Sequence, residues 1–211
     1  MRSFLQGRLA FARALQASSF DVTHHDLMLI LTSIISACAA HRWPGEGFDR
    51  KRFVESLIKF SPPHLCADYI SIGALLELNL ISEDQTEWRK PGQGDRVFTG
   101  EDVDCALLDM ANRYPQLSTC ELKKASYANK IYEWLRCGYA HTYWTAGNTT
   151  RVAPSQRPAQ ISYIGRIQSD DTTIRIAAFH LDYIFNLVQE QVSTLSDRPL
   201  QRPSKWWIDA A

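Results

Sequence analysis

Two residues in the second half of the chain have the side chains that cleavage of an RNA phosphodiester asks for. Arg136 and His141 stand with four residues between them in Ile131-Tyr132-Glu133-Trp134-Leu135-Arg136-Cys137-Gly138-Tyr139-Ala140-His141. RNA brings its own nucleophile, the 2′-hydroxyl. A catalyst must take that proton, stabilise the added negative charge on phosphorus and protonate the leaving 5′-oxygen. Histidine suits the proton steps because its unperturbed pKa lies near neutrality. Arginine suits the charge step because its planar fork stays ionised and gives two parallel hydrogen bonds to phosphate oxygens. Such chemistry needs no metal and leaves a 2′,3′-cyclic phosphate and a 5′-hydroxyl.

On a regular helix, positions five apart point about 140° away from each other and lie about 7.5 Å apart along the axis. One helix alone does not aim both side chains at one phosphate. Two such helices related by a two-fold axis would surround one groove with two arginines and two histidines, so a homodimer follows from the chemistry. The spacing by itself is common: sixteen arginines and six histidines in 211 residues give roughly half a chance match. A second pair, Arg175 and His180, spans a strand-to-helix junction, which reads Arg175 as a hairpin residue and His180 as a helix-face residue.

Context separates the first pair from the second. The aromatic, apolar lead Tyr132-Glu133-Trp134-Leu135, then the arginine, small residues and the histidine, with several helices before them, resembles the Arg-x4-6-His run of the HEPN superfamily. These are all-α domains, many of whose members are metal-independent ribonucleases, often toxins or defence proteins. In that family the arginine and histidine of two protomers meet across a dimer interface. The resemblance therefore implies a cytoplasmic, homodimeric endoribonuclease with Arg136 and His141 as catalytic residues, RNA as substrate, no cofactor and no metal. It also implies a cognate antitoxin or regulatory protein as a further partner. Cys137 stands where many members have asparagine or aspartate. That departure favours the alternative, a catalytically inactive HEPN-like module that keeps fold and dimer and binds RNA, a nucleotide or a protein. In a third reading the chain is an unrelated helical scaffold, and Arg136 and His141 make structural hydrogen bonds.

Tyr139, Tyr143 and Trp144 flank the motif as candidates to stack on unpaired bases, or as core or dimer contacts. Lys130 is a candidate phosphate contact in substrate binding, as are Lys123 and Lys124 on the same stretch. Cys137 has no evident catalytic partner except His141, the basis of a minor alternative with a cysteine nucleophile. Gly138 would permit close helix approach or a bend.

The frame that must position these side chains reads as all-α, a HEPN-like multi-helix bundle with a small β-hairpin after the motif helix. Residues 1–195 read as one helical domain and 196–211 as an extended tail docked through Trp206-Trp207. Arg2 to Gln16 repeats apolar residues at helical spacing, and Val22 to His41 is apolar enough to be a central helix, stopped by Trp43-Pro44-Gly45. Phe48 to Phe60 is again helical. Ser61-Pro62-Pro63 resembles a helix start running to about Leu80, and Ser82 to Gly100 is polar and reads as a surface loop. Helix resumes near Glu101, with Glu101, Asp102 and Asp104 at its favourable end. Ser118-Thr119 opens a single helix to about His141. Ile161–Ile167 and Thr172–Ile176 read as a hairpin, and Ala177 to Leu195 as the last helix.

The charges sum to zero, which argues against binding nucleic acid by bulk electrostatics. Their distribution is uneven: nine acids against three bases from Glu77 to Asp109, and eight bases against four acids from Glu121 to Arg175. The second half can present a basic face. Five scattered cysteines fit a reducing cytosol and offer no zinc-ligand spacing. Gln6, Arg8 and Arg13 interrupt what would have to be an apolar leader, so neither export nor membrane insertion is expected.

Overall fold

The computed structural model describes residues 1–18, 24–87, 96–142, 159–167 and 173–210. Its helical centre is α2 (His24–Arg42), which carries buried side chains around most of its circumference. Around it pack α1 (Arg2–Gln16), α3 (Asp49–Phe60) and α10 (Leu181–Ser193). α1 and α10 each bury one stripe, Leu5, Leu9 and Ala12 on the first and Ile184, Leu187, Val188 and Val192 among others on the second. One continuous apolar cluster runs through the molecule from Leu5 to Ile208. None of the described helices is long and apolar enough to cross a membrane.

The helix anticipated from Ser61-Pro62-Pro63 to Leu80 does not form. A 3-10 turn at Pro63–Leu65 ends on Cys66, whose φ of 51° is left-handed. Ile70 then bridges both Cys105 and Ser126. The Ile70 N–H donates to the Cys105 carbonyl at 2.9 Å, Ser71 N–H to Ala125 at 3.0 Å, and Tyr127 N–H to Tyr69 at 2.8 Å. Backbone groups that a helix would have paired locally are paired instead with distant chain. Only α4 (Ile72–Glu77) is helical here, capped by the Ser71 hydroxyl, which accepts the Ala74 N–H.

The same bonds divide the anticipated 118–141 helix. α7 (Thr119–Lys124) opens with a Ser118–Glu121 capping box. It stops at Ala125, and the Ser126 hydroxyl begins again by accepting the Asn129 N–H at 3.3 Å. α8 (Tyr127–Lys130), a π-helical turn (Ile131–Cys137) and α9 (Gly138–Thr142) then run on without interruption.

Part of the expected 82–100 loop is a strand. β1 (Phe98–Thr99) pairs antiparallel with β2 (Ile161–Ile167), and β2 with β3 (Thr173–Phe179), so the hairpin belongs to a three-stranded sheet. β3 runs on to Phe179 because Ala177 and Phe179 pair with Tyr163 and Ile161, which delays α10 to Leu181.

Asp104 ties this sheet to the helices. It ends the short α5 (Gly100–Val103) and is buried, with one carboxylate oxygen accepting the Ile72 N–H at 2.8 Å. The other accepts the phenols of Tyr127 and Tyr163 at 2.6 Å each. Tyr163 Oη also lies 2.7 Å from Ser71 Oγ. So close an approach of rings to backbone needs glycine: a Cβ at Gly73 would sit 2.6 Å from Tyr163 Cε1, and one at Gly100 would overlap Tyr127 Oη.

α6 (Leu107–Arg113) completes the described helices of that region. A second polar knot lies at the end of α2. Arg42, fully buried, donates to Ser56 Oγ at 2.6 Å, to the Gln191 side chain and carbonyl at 2.5 and 2.8 Å, and to Thr194 Oγ1 at 2.9 Å. Burial lowers its pKa to about 10 and raises that of Cys38, one helical turn away, to about 11. The tail packs back through Trp206, stacked on Phe48 and edge-on to Trp43. Lys123, buried rather than offered to phosphate, donates to the Ala210 carbonyl at 2.7 Å.

Candidate functional site

The π turn is the local feature from which the site is built. Its wider i→i+5 winding holds one more residue than an α turn and so changes which side chains share a face. Tyr132 and Arg136, both half-buried, project into a space between α2 and α3. The α2 wall is made of small residues, Ser36, Ala37, Ala39 and Ala40, which leave a cavity of about 300 Å³. Asp49, Arg52 and Phe53 of α3 close the other side, and the Phe53 and Tyr132 rings meet edge to face at 5.2 Å.

The two cations of this cavity differ in state. Arg52 is held in place, donating to the Gly45 carbonyl at 2.8 Å and the Trp43 carbonyl at 3.3 Å while pairing with Asp49. Arg136 makes no hydrogen bond or ion pair to any described residue. The nearest acid along the helix, Glu133, is taken by Arg50 at 2.9 Å and by Lys130 at 2.8 Å. Burial raises the Tyr132 phenol above its ordinary pKa; Cys137, through charge and a hydrogen bond, pushes it further up, while Arg136 pulls it down and Asp49 pushes it up.

His141 is exposed on α9 and is not part of the cavity wall. A single protomer therefore sets Arg136 in the cavity and His141 on the outer surface, and does not bring the two to one point.

Two substrate-binding candidates lie in the interior. Lys130 is 2 % exposed, its ammonium bonded to Glu133 and 5.3 Å from the Trp134 ring centre. Tyr139 is 2 % exposed, its ring edge-on to His25 at 5.4 Å. Neither presents a face on which a phosphate or base could rest, so the sequence-based roles give way to structural ones: Lys130 secures the π turn, and Tyr139 fastens α9 to the start of α2. Tyr143 and Trp144 lie outside the described residues.

In the second arginine–histidine pair, Arg175 lies within β3. His180 is the residue before α10 rather than on its face, half-buried and 2.8 Å from Ser162 Oγ. Its pKa is lowered by burial. Asp49, Arg52 and Tyr132 were not singled out by spacing. The signal that could have pointed to the cavity is the run of small residues at positions 36, 37, 39 and 40 in an otherwise bulky apolar helix. Among the described residues, no three His, Cys, Asp or Glu side chains converge as metal ligands would. Compared with protein-family models, curated proteins and solved structures, the chain finds no match.

Proposed function

We propose that this chain is a HEPN-type, homodimeric, metal-independent endoribonuclease of the toxin or defence kind. Arg136 holds the scissile phosphate, and His141 of the second protomer moves the protons. The observation that carries this reading is a half-buried guanidinium with no protein partner among the described residues, set in a cavity and followed on one uninterrupted helix by an exposed histidine. Charged groups taken partly out of water are normally paired. A guanidinium left open fits an anionic ligand, and its fork matches two non-bridging phosphate oxygens. Because one protomer separates Arg136 from His141, a two-fold pairing that juxtaposes two motif helices is the arrangement in which one phosphate meets both.

In the reaction, His141 accepts the 2′-hydroxyl proton as the oxygen attacks phosphorus. The imidazolium so formed then gives its proton to the departing 5′-oxygen. Arg136 stabilises the charge gathered on the phosphoryl oxygens. The second reading, a nucleotide- or RNA-binding module that does not cut, draws on the separation of cavity and His141 within a protomer and on Cys137.

The test is cleavage of a mixed, end-labelled RNA set in EDTA by wild type, Arg136→Ala and His141→Ala, with the product ends identified. Cyclic-phosphate ends produced by wild type, with a loss of at least about 100-fold in either variant, support the ribonuclease. No cleavage by folded, dimeric wild type moves the assignment to the binding module. Light scattering that shows only monomer removes the shared-groove mechanism.

A further inference from the structure

We infer that the cavity between α2, α3 and the π turn is a base-selective subsite for one nucleotide of RNA, with guanine preferred; the identity of its phosphate as the scissile one rests on the ribonuclease reading, whereas nucleotide binding does not. At about 300 Å³ the space is at the lower end of small-ligand sites, enough for a base and its phosphate and too little for a duplex. Its three walls differ in chemistry. Arg136 offers an open fork to the phosphate. The alanines of α2 and the Phe53–Tyr132 edge-to-face pair offer an apolar, partly aromatic lining for a planar ring.

Asp49 is the selective element. Its side chain is 59 % exposed, and one oxygen is engaged by Arg52 while the other accepts no hydrogen bond from any described residue. Arg52 is already held by two backbone carbonyls as well as Asp49, so it fixes the carboxylate in position and has little free fork for a phosphate. An ionised carboxylate only accepts hydrogen bonds and repels phosphate. A nucleotide therefore enters with its phosphate on the Arg136 side and a donor-bearing base edge toward Asp49. Tyr132 lines the same cavity as Arg136 and Asp49. Guanine presents two adjacent donors, the N1 imino and the N2 amino group. Adenine and cytosine present only an amino group there, and uracil one imino group.

Binding of the four 3′-mononucleotides to the full-length protein, in EDTA, tests this by calorimetry with ligands that cannot be cleaved. Guanosine 3′-phosphate should bind at least about tenfold more tightly than the other three. Asp49→Asn should level the preference, because an amide both donates and accepts, and removal of the phosphate should weaken every ligand. Ala40→Leu and Ala37→Leu, at half-buried positions, should each abolish binding by filling the space, with circular dichroism confirming the fold. Equal binding of all four nucleotides, or binding unchanged in either folded leucine variant, overturns the inference. RNA cleavage without guanine preference, and with unaltered sites in the leucine variants, defeats the subsite and leaves the ribonuclease standing. Guanosine 3′-phosphate binding as described with no RNA cut does the reverse.

Discussion

Replacing Asp104 by asparagine isolates the cost of burying one carboxylate. Burial pushes the Asp104 carboxyl from its ordinary 3.8 up to about 7, against the opposing pull of the Ile72 N–H and the Tyr127 and Tyr163 phenols. A carboxyl whose pKa is higher folded than unfolded holds its proton more tightly in the native state. Its contribution to stability is fully present below 3.8 and is lost as pH rises through about 7. Between pH 5 and pH 8, linkage through those two values gives a change of about 3 kcal/mol. Asparagine does not titrate. The difference in unfolding free energy between wild type and Asp104→Asn should therefore shift by about 3 kcal/mol over that window, with wild type gaining toward pH 5. Groups common to both proteins cancel, among them Glu121, whose hydrogen bonds from Ser118 lower its pKa. Urea titrations followed by the fluorescence of the six tryptophans measure it. A difference that stays flat, or that grows in wild type's favour as pH rises, refutes the reasoning and means that the three donors keep Asp104 ionised against desolvation.

Gly100→Ala should cost about 3 kcal/mol, read as a lowered thermal midpoint, because the new methyl group would overlap the Tyr127 hydroxyl and crowd Ile161; a change under about 0.5 kcal/mol means the knot has slack. Arg42→Lys should destabilise by about 2 kcal/mol in urea, since a point ammonium cannot reproduce the fork that reaches Ser56, Gln191 and Thr194 together; unchanged stability contradicts that. Trp206→Ala should cost about 3 kcal/mol and open the chain after Leu195 to limited proteolysis, as the ring that wedges between Phe48 and Trp43 is lost; resistance equal to wild type means that Lys123 and Trp207 suffice to hold the tail.

Elements whose own pattern decides their state were legible in advance. α1, α3 and α10 each carry an apolar stripe at helical spacing, and α2 is apolar enough to occupy the centre, so local sequence and tertiary burial agree. The hairpin was legible from its β-branched runs, but not its third strand, since two residues, Phe98 and Thr99, carry no period. Residues 61–80 and 118–141 were misread for one shared reason: Ile70 and Ser71 donate backbone bonds to Cys105 and Ala125, Tyr127 donates one to Tyr69, and no local pattern announces so distant a partner. Asp104 looked like an acid favouring a helix start because its partners, the Ile72 N–H and the Tyr127 and Tyr163 phenols, come from three distant segments. At the site, residue type pointed to Arg136 and His141, but burial decides availability. Lys130 and Tyr139 are chemically suited to RNA and occupied inside the protein, whereas the alanines that open the cavity have no chemistry to draw the eye.

The π turn makes the motif helix a device whose phase is set by one surplus residue. Rewinding Ile131–Cys137 as a regular α-helix, with no residue lost, would pass the surplus residue on to the chain beyond. Everything beyond would then turn by about 100° and slide by about 1.5 Å relative to the chain before Ile131. Tyr139 would leave His25, and His141 would face a different quadrant. Two sequences with every side chain of the motif intact could thus differ in whether the pair can ever address a common target, and the distinction would be invisible to a comparison of residue types. For a protein of this build, how the chain winds between Lys130 and Gly138 decides where His141 faces as much as the sequence of the motif itself does.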